Sequence, residues 1–205
     1  GSEMCIRDSL TALGFTEHSF AHVTKCAEVA AHILTQLGYS SKEVELAKIA
    51  AFMHDIGNVV NRNDHAQTGA VMAFRILDNM GMEPSDVAAV ITAIGHHDDS
   101  TAFPVNAIAA ALLLADKTDV RRSRVRNKDM ATFDIHDRVN YSVERSEVLL
   151  DVPGRTVTLS LSINTQVCAV MDYFEIFLQR MLLCRRAAEA LELKFRLEIN
   201  GQILL

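Results

Sequence analysis

The chain has 205 residues, a formal net charge of -6, 49% hydrophobic residues and 22% charged residues. That length and composition can bury a core for one domain plus an appendage, and they exclude disorder of the chain as a whole. The acidic balance argues against a general nucleic-acid binder, and the longest apolar run, Ala107 to Ala115, is too short to cross a bilayer.

Residues 1–9 open on Gly-Ser, carry no pattern, and read as an artificial start outside the fold. From Phe20 to Leu37 the apolar residues Val23, Cys26, Ala27, Ala30, Ile33 and Leu34 recur at helical spacing, and Gly38 is placed to end that helix. Ser40 or Ser41 can cap a second helix, which runs through Leu46, Ile49, Ala50 and Met53 and carries His54-Asp55 at its end. Asn61 to Asp64 reads as a polar turn. The spacing predicts further helices from His65 to Met80, from Pro84 toward His96-His97, and from Ile108 to about Asp116-Lys117.

After about Arg126 the texture changes. Ser146–Asp151 and Thr156–Ile163 read as strands joined by a Pro-Gly-Arg turn. A long helix is expected over Thr165–Leu191, with a Met, Phe and Leu stripe for core or dimer interface. Lys194–Ile199 and Gln202–Leu205 then read as a closing hairpin. Val157, Leu159, Leu161 and Ile163 alternate with polar residues, which gives a sheet with one buried face. The expected fold class is mainly α: a helical bundle over residues 10–130, then a small β-β-α-β subdomain over 131–205 with antiparallel strands. Asp134, His136, Asp137, Arg138 and Asn140 lie in the connection, as a cleft edge or a capped turn.

Several histidines fall among aspartates: His22, His54-Asp55, His65, His96-His97 and Asp116. Each sits on or beside an apolar helix, where imidazole and carboxylate are costly to bury without partners. On a helix, His54 and Asp55 would point about 100° apart, so one could ligate an ion while the other bridged to a second. Nitrogen and carboxylate donors without thiolate suit iron, manganese, zinc or cobalt rather than calcium. The four cysteines, Cys5, Cys26, Cys168 and Cys184, show no C-x-x-C spacing and read as buried thiols of a reducing cytoplasm.

His22 followed by Cys26-Ala27 and Ala30, His54-Asp55 after an apolar run, and Ala115-Asp116 after Leu112-Leu113-Leu114 together resemble the HD superfamily of all-helical metal-dependent phosphohydrolases. The resemblance covers about half the chain. His65-Ala66-Gln67-Thr68-Gly69-Ala70 is similar to the H-x-x-x-G-A helix start of members with a second metal, including diadenosine tetraphosphate hydrolases. His96-His97 resembles the histidine pair of the HD-GYP branch. That branch usually has Lys where this chain has Asn58, and its GYP motif is absent here. The resemblance implies two divalent transition-metal ions, iron or manganese first, with zinc, cobalt, nickel or magnesium as alternatives. One ion would take His22, His54, Asp55 and Asp116; the other would take Asp55 as bridge with His65, His96 and His97. His54 and Asp55 would form the catalytic pair, with metal-activated hydroxide as nucleophile.

Lys117, Arg121, Arg122 and Arg124 follow Asp116 directly, with Arg126 beyond them, and could hold the phosphate of a substrate. Surface ion pairs to Asp129, Asp134 or Asp137 would explain them equally well. His18 lies one helical turn before His22 and could face the site; Asp98 and Asp99 could orient imidazoles. The expected activity is hydrolysis of a small, nucleotide-type phosphoester in the cytoplasm, by a chain that forms a homodimer. Two alternatives are a mixed-valent diiron oxygenase on the same fold and a degenerate ligand-sensing module.

Overall fold

A computed structural model describes residues 20–125, 127, 129 and 132–204. The readings on residues 1–9, Cys5, His18 and Arg126 lie outside them. The chain divides into two compact units, one ending at Asp116 and one beginning at Lys117.

In the first unit, α1 (Phe20–Gln36) buries Val23, Cys26, Ala27, Ala30, Ile33 and Leu34 on one face, with His22 on the same face. It stops at Gly38, whose φ of 81° needs no Cβ. Tyr39 N–H donates back to the Leu34 carbonyl and Gly38 N–H to that of Thr35, which satisfies the last turn. Helix α2 (Ser41–Met53) opens on a capping box: Glu43 N–H donates to Ser40 Oγ at 3.2 Å and Ser40 N–H to Glu43 Oε2 at 3.0 Å. It packs on α1, and its small residues Ala47, Ala50 and Ala51 are fully buried.

The helix brings His54-Asp55 to its end, as the sequence predicts, but the two residues do not continue it. It ends at Met53, and Asp55 leads a 3-10 turn, Ile56–Val59. The cause is a close approach of two backbones. A Cβ on Gly57 would collide with the His65 carbonyl and stand 2.6 Å from the Gly69 amide nitrogen. The turn therefore lies against the first turns of α3 (His65–Asn79), and glycine at 57 and 69 permits it. Helix α4 (Pro84–Gly95) starts with proline in its first turn. Helix α5 (Ala107–Lys117) is buried on every side from Ile108 to Ala115, so the apolar run is a core helix.

In the second unit, a 3-10 turn (Arg122–Arg124) precedes α6 (Ile135–Ser142). The polar cluster of the connection is thus a helix, capped by Asp134, whose Oδ1 accepts from Asp137 N–H at 2.7 Å. Strands β1 (Val143–Asp151), β2 (Thr156–Ile163), β3 (Lys194–Ile199) and β4 (Gln202–Ile203) form one sheet in the order β1-β2-β3-β4. Strands β1 and β2 pair antiparallel, Leu150 opposite Val157. The expectation of an antiparallel sheet fails at its centre. Strands β2 and β3 run parallel, Leu159 opposite Leu197, because α7 (Val170–Ala190) returns the chain to the end from which β2 set out. The 21 residues of α7 cover about 30 Å, enough for that crossover. It buries Tyr173, Phe177, Met181 and Cys184, while Met171 and Leu178 of the same stripe stay exposed. Val157, Leu159, Leu161 and Ile163 are buried, as their alternation requires. Among the described residues no helix is long and apolar enough to cross a membrane.

Candidate metal centre

Five helices of the first unit and the turns beside them bring the site together. Helix α1 supplies His22, the end of α2 and the turn after it supply His54 and Asp55, and the start of α3 supplies His65. His97 follows α4, and Asp116 lies in the last turn of α5. All six are buried.

Asp55 stands between two halves. Its Oδ2 lies 3.4 Å from His54 Nε2 and 3.8 Å from His22 Nε2. Asp116 Oδ1 lies 3.3 Å from His22 Nε2 and 3.9 Å from His54 Nε2. On the other side, Asp55 Oδ1 lies 3.7 Å from His65 Nε2 and 3.9 Å from His97 Nε2. The two ε-nitrogens of His65 and His97 are 3.1 Å apart.

The δ-nitrogens decide the tautomers. His54 Nδ1 sits 2.7 Å from the Ala51 carbonyl, His97 Nδ1 2.6 Å from that of Ile94, and His65 Nδ1 3.0 Å from that of Arg62. A carbonyl only accepts, so each Nδ1 carries the proton and each Nε2 presents a lone pair. The His65 and His97 lone pairs therefore face one another, and His54 Nε2 is buried with no hydrogen-bond partner. Burial pushes the pKa of His54 down to about 3, against the opposing pull of Asp55. His65 is lowered too, by burial first and then by the Arg62 charge. A buried cluster of imidazole lone pairs and two carboxylates is costly unless charged or hydrogen-bonding partners join it, and a bound cation is one such partner. Donor atoms on one transition-metal ion, each about 2.1 Å from it, stand roughly 3–4 Å apart. The distances within each half match that spacing, so these residues fit a divalent ion.

Other expected residues stand elsewhere. His96 belongs to none of the groups of convergent donor atoms; it is half-buried, and its Nδ1 faces the Thr92 carbonyl at 2.9 Å. Asp98 accepts from the Ser100 hydroxyl in a turn, and its Oδ1 is 3.8 Å from His65 Nδ1. The basic run has other partners within the second unit. Arg121 Nε donates to Asp119 Oδ1 at 2.9 Å, Arg122 Nε to the Tyr141 carbonyl at 2.6 Å, and Arg124 Nη1 to the Asp119 carbonyl at 2.8 Å. Lys117 and Arg124 are buried. Arg124 is buried and Arg122 exposed, so the run is not a uniform row of open cations.

Three residues enter the site that the sequence reading left out of it. Asn58 is fully buried, and its Nδ2 donates to Asp55 Oδ1 at 2.8 Å. Arg62 reaches back from the polar turn to His65 Nε2 at 3.0 Å. The Cys26 thiol lies 3.6 Å from His22 Nδ1 and groups with His22 and Asp116, so a softer donor stands beside the nitrogen and carboxylate set. Asn58 was visible as a departure from a family pattern and Cys26 as part of the motif around His22, though neither as a site residue; Arg62 gave no signal beyond lying three residues from a histidine.

The HD domain family model matches residues 19–175. The chain is 26% identical over 155 residues to ribonuclease Y of Cutibacterium acnes, covering 74% of this chain and 26% of that protein. It is 33% identical over 115 residues to ribonuclease Y of Chloroflexus aurantiacus, covering 53% of this chain and 20% of that protein. The matched part is thus about a quarter or less of either relative.

Proposed function

The chain belongs to the HD domain family, and on that premise we propose that it is a metal-dependent phosphohydrolase acting on a nucleotide-type phosphoester. The observation that carries this reading is the convergence of buried imidazole lone pairs on Asp55 and Asp116, with His54 Nε2 unpartnered. His22, His54, Asp55 and Asp116 would hold one divalent ion, and Asp55, His65 and His97 a second. Iron or manganese suits this donor set best, with zinc, cobalt, nickel or magnesium as alternatives. Bound ions acidify water at neutral pH and offset charge on phosphoryl oxygens.

The protein's own part is positioning. The Ala51 and Ile94 carbonyls hold the His54 and His97 rings with Nε2 inward. Asn58 fixes the carboxylate plane of Asp55, so that its two oxygens face opposite halves. The backbone contact of Gly57 with α3 sets His54 and Asp55 beside His65. His54, Asp55 and His97 would thus be held in place before an ion arrives, the condition under which electrostatic stabilisation of a reacting phosphoryl group is most effective.

The nucleotide class draws support from the relatives, which are named as ribonucleases. Cleavage of an RNA phosphodiester is the polymeric form of the same reading. The test is hydrolysis by manganese- or iron-loaded protein of bis(p-nitrophenyl) phosphate, mononucleotides and a short oligoribonucleotide. Turnover abolished by chelator and by Asp55→Asn is expected. Metal-loaded protein inert toward all three classes would sink the hydrolase reading.

A further inference from the structure

We propose that Arg62 makes the two halves of the metal centre unequal, so that a divalent ion loads the His22–His54–Asp55–Asp116 half first and the Asp55–His65–His97 half much more weakly. The inference rests on the metal-centre reading above and concerns the order in which that centre fills.

Arg62 Nη1 donates to His65 Nε2 at 3.0 Å and to Asn58 Oδ1 at 3.3 Å, and stands 3.9 Å from Asp55 Oδ1. The direction of the first bond is fixed. His65 Nδ1 gives its proton to the carbonyl of Arg62 itself, so Nε2 can only accept, and a guanidinium can only donate. The nitrogen that an ion in this half would need is already held by a permanent positive charge. The other half differs: Asp55 Oδ2 and Asp116 Oδ1 both face it, and His54 Nε2 has no hydrogen-bond partner. An ion entering beside His65 must break the Arg62 bond and push the guanidinium away. With its side chain one-quarter exposed, Arg62 has a route outward. The cost of that displacement falls on one half alone. Asn58 ties the arrangement together, because the same side chain donates to Asp55 and accepts from Arg62. Arg62 is therefore a positioning residue that sets how many ions the centre holds at a given metal concentration.

The test is calorimetric titration of the chelator-treated 205-residue chain with Mn2+, with bound ions counted by elemental analysis after dialysis. Wild type is compared with Arg62→Ala, Arg62→Lys and Arg62→Gln, and circular dichroism checks that each variant is folded. Wild type should bind one ion tightly and a second on the order of tenfold or more weakly, given a unit charge within about 4 Å of the entering ion. Arg62→Ala and Arg62→Gln should tighten the second ion by at least that factor and leave the first unchanged, whereas Arg62→Lys should keep much of the asymmetry. Glutamine retains a donor for Asn58, so its agreement with alanine assigns the effect to charge. Variants that bind the same number of ions with the same affinities as wild type overturn the proposal and leave the metal-centre reading standing. Wild-type protein that binds no Mn2+ overturns both.

Discussion

The side-chain amide of Asn58 donates to Asp55 Oδ1 at 2.8 Å and to the Asp55 backbone carbonyl at 3.0 Å, and so fixes the plane of the carboxylate that faces both halves of the centre. Asn58 is fully buried and has no freedom to leave that position cheaply. Its replacement by alanine removes the bond without touching any residue of the donor set. Groups that orient metal ligands typically contribute about 10- to 100-fold in affinity. Asn58→Ala should therefore weaken Mn2+ binding by about that factor while the helical circular dichroism stays intact. Affinity equal to wild type would show that the backbone alone holds Asp55 in place.

A second expectation concerns Gly57. Its Cβ position is occupied by the His65 carbonyl, and the neighbouring Gly69 amide leaves no room to shift. Gly57→Ala forces the turn and α3 apart, an overpacking that costs about 1–3 kcal/mol or more. The same movement separates Asp55 from His65, so metal affinity should fall together with stability. Gly38→Ala is the control. Nothing lies within 4 Å of its Cβ position, and only its φ of 81° is unfavourable. It should cost about 1 kcal/mol and leave metal binding alone. Urea midpoints and Mn2+ titration of the two variants check the contrast; equal effects on metal binding would refute it.

Much of the first unit was legible because its helices repeat apolar residues with the helical period and are punctuated by Gly38, Ser40, Gly81 and Pro84. The donor residues could be picked out because histidine and aspartate are expensive on such faces. The path of His54-Asp55 was not legible. It depends on the packing of Gly57 against Gly69, which pattern alone does not show. The parallel pairing of β2 with β3 escaped for a similar reason: two strands of the same alternation pair either way, and the length and course of α7 decide between them. Helix α6 is eight residues long and polar, below what periodicity can detect. Arg62 was invisible because its role follows from the turn that folds it back onto His65.

Acid should destabilise the metal-free protein through the centre. The folded pKa of His54 is about 3, lowered by burial, against about 6.5 in the unfolded chain. Between those values the unfolded chain binds the extra proton, so stability rises with pH and is lost as pH falls from about 6.5 toward 3. One such group gives a slope of up to about 1.4 kcal/mol per pH unit. His65 shifts in the same direction and adds to the effect. Urea midpoints of chelator-treated protein, measured from pH 7 to pH 4, should fall steeply, and His54→Asn should flatten the curve. An unchanged slope in that variant would remove His54 as the cause.

The basic run after Asp116 is structural in these contacts. Arg124 is buried, donates to the Asp119 carbonyl at 2.8 Å and lies 3.9 Å from its Oδ2; the Asp119 side chain is fully covered and also accepts from Arg121 Nε. Removing Arg124 takes away the donor to the buried Asp119 carbonyl and one of the two guanidinium groups beside its carboxylate, while Arg121 keeps its 2.9 Å bond. Loss of a donor to a buried acceptor costs about 1–3 kcal/mol. Arg122 is different: it is exposed, and its guanidinium lies 4.5 Å from the centre of the Tyr141 ring. That contact is worth about 0.5–1 kcal/mol at an exposed site. Arg124→Ala should therefore lower the urea midpoint more than Arg122→Ala, and neither should change Mn2+ affinity. If Arg122→Ala instead raised KM for a phosphoester with stability unchanged, Arg122 would have the phosphate-holding role that the sequence suggests for the run.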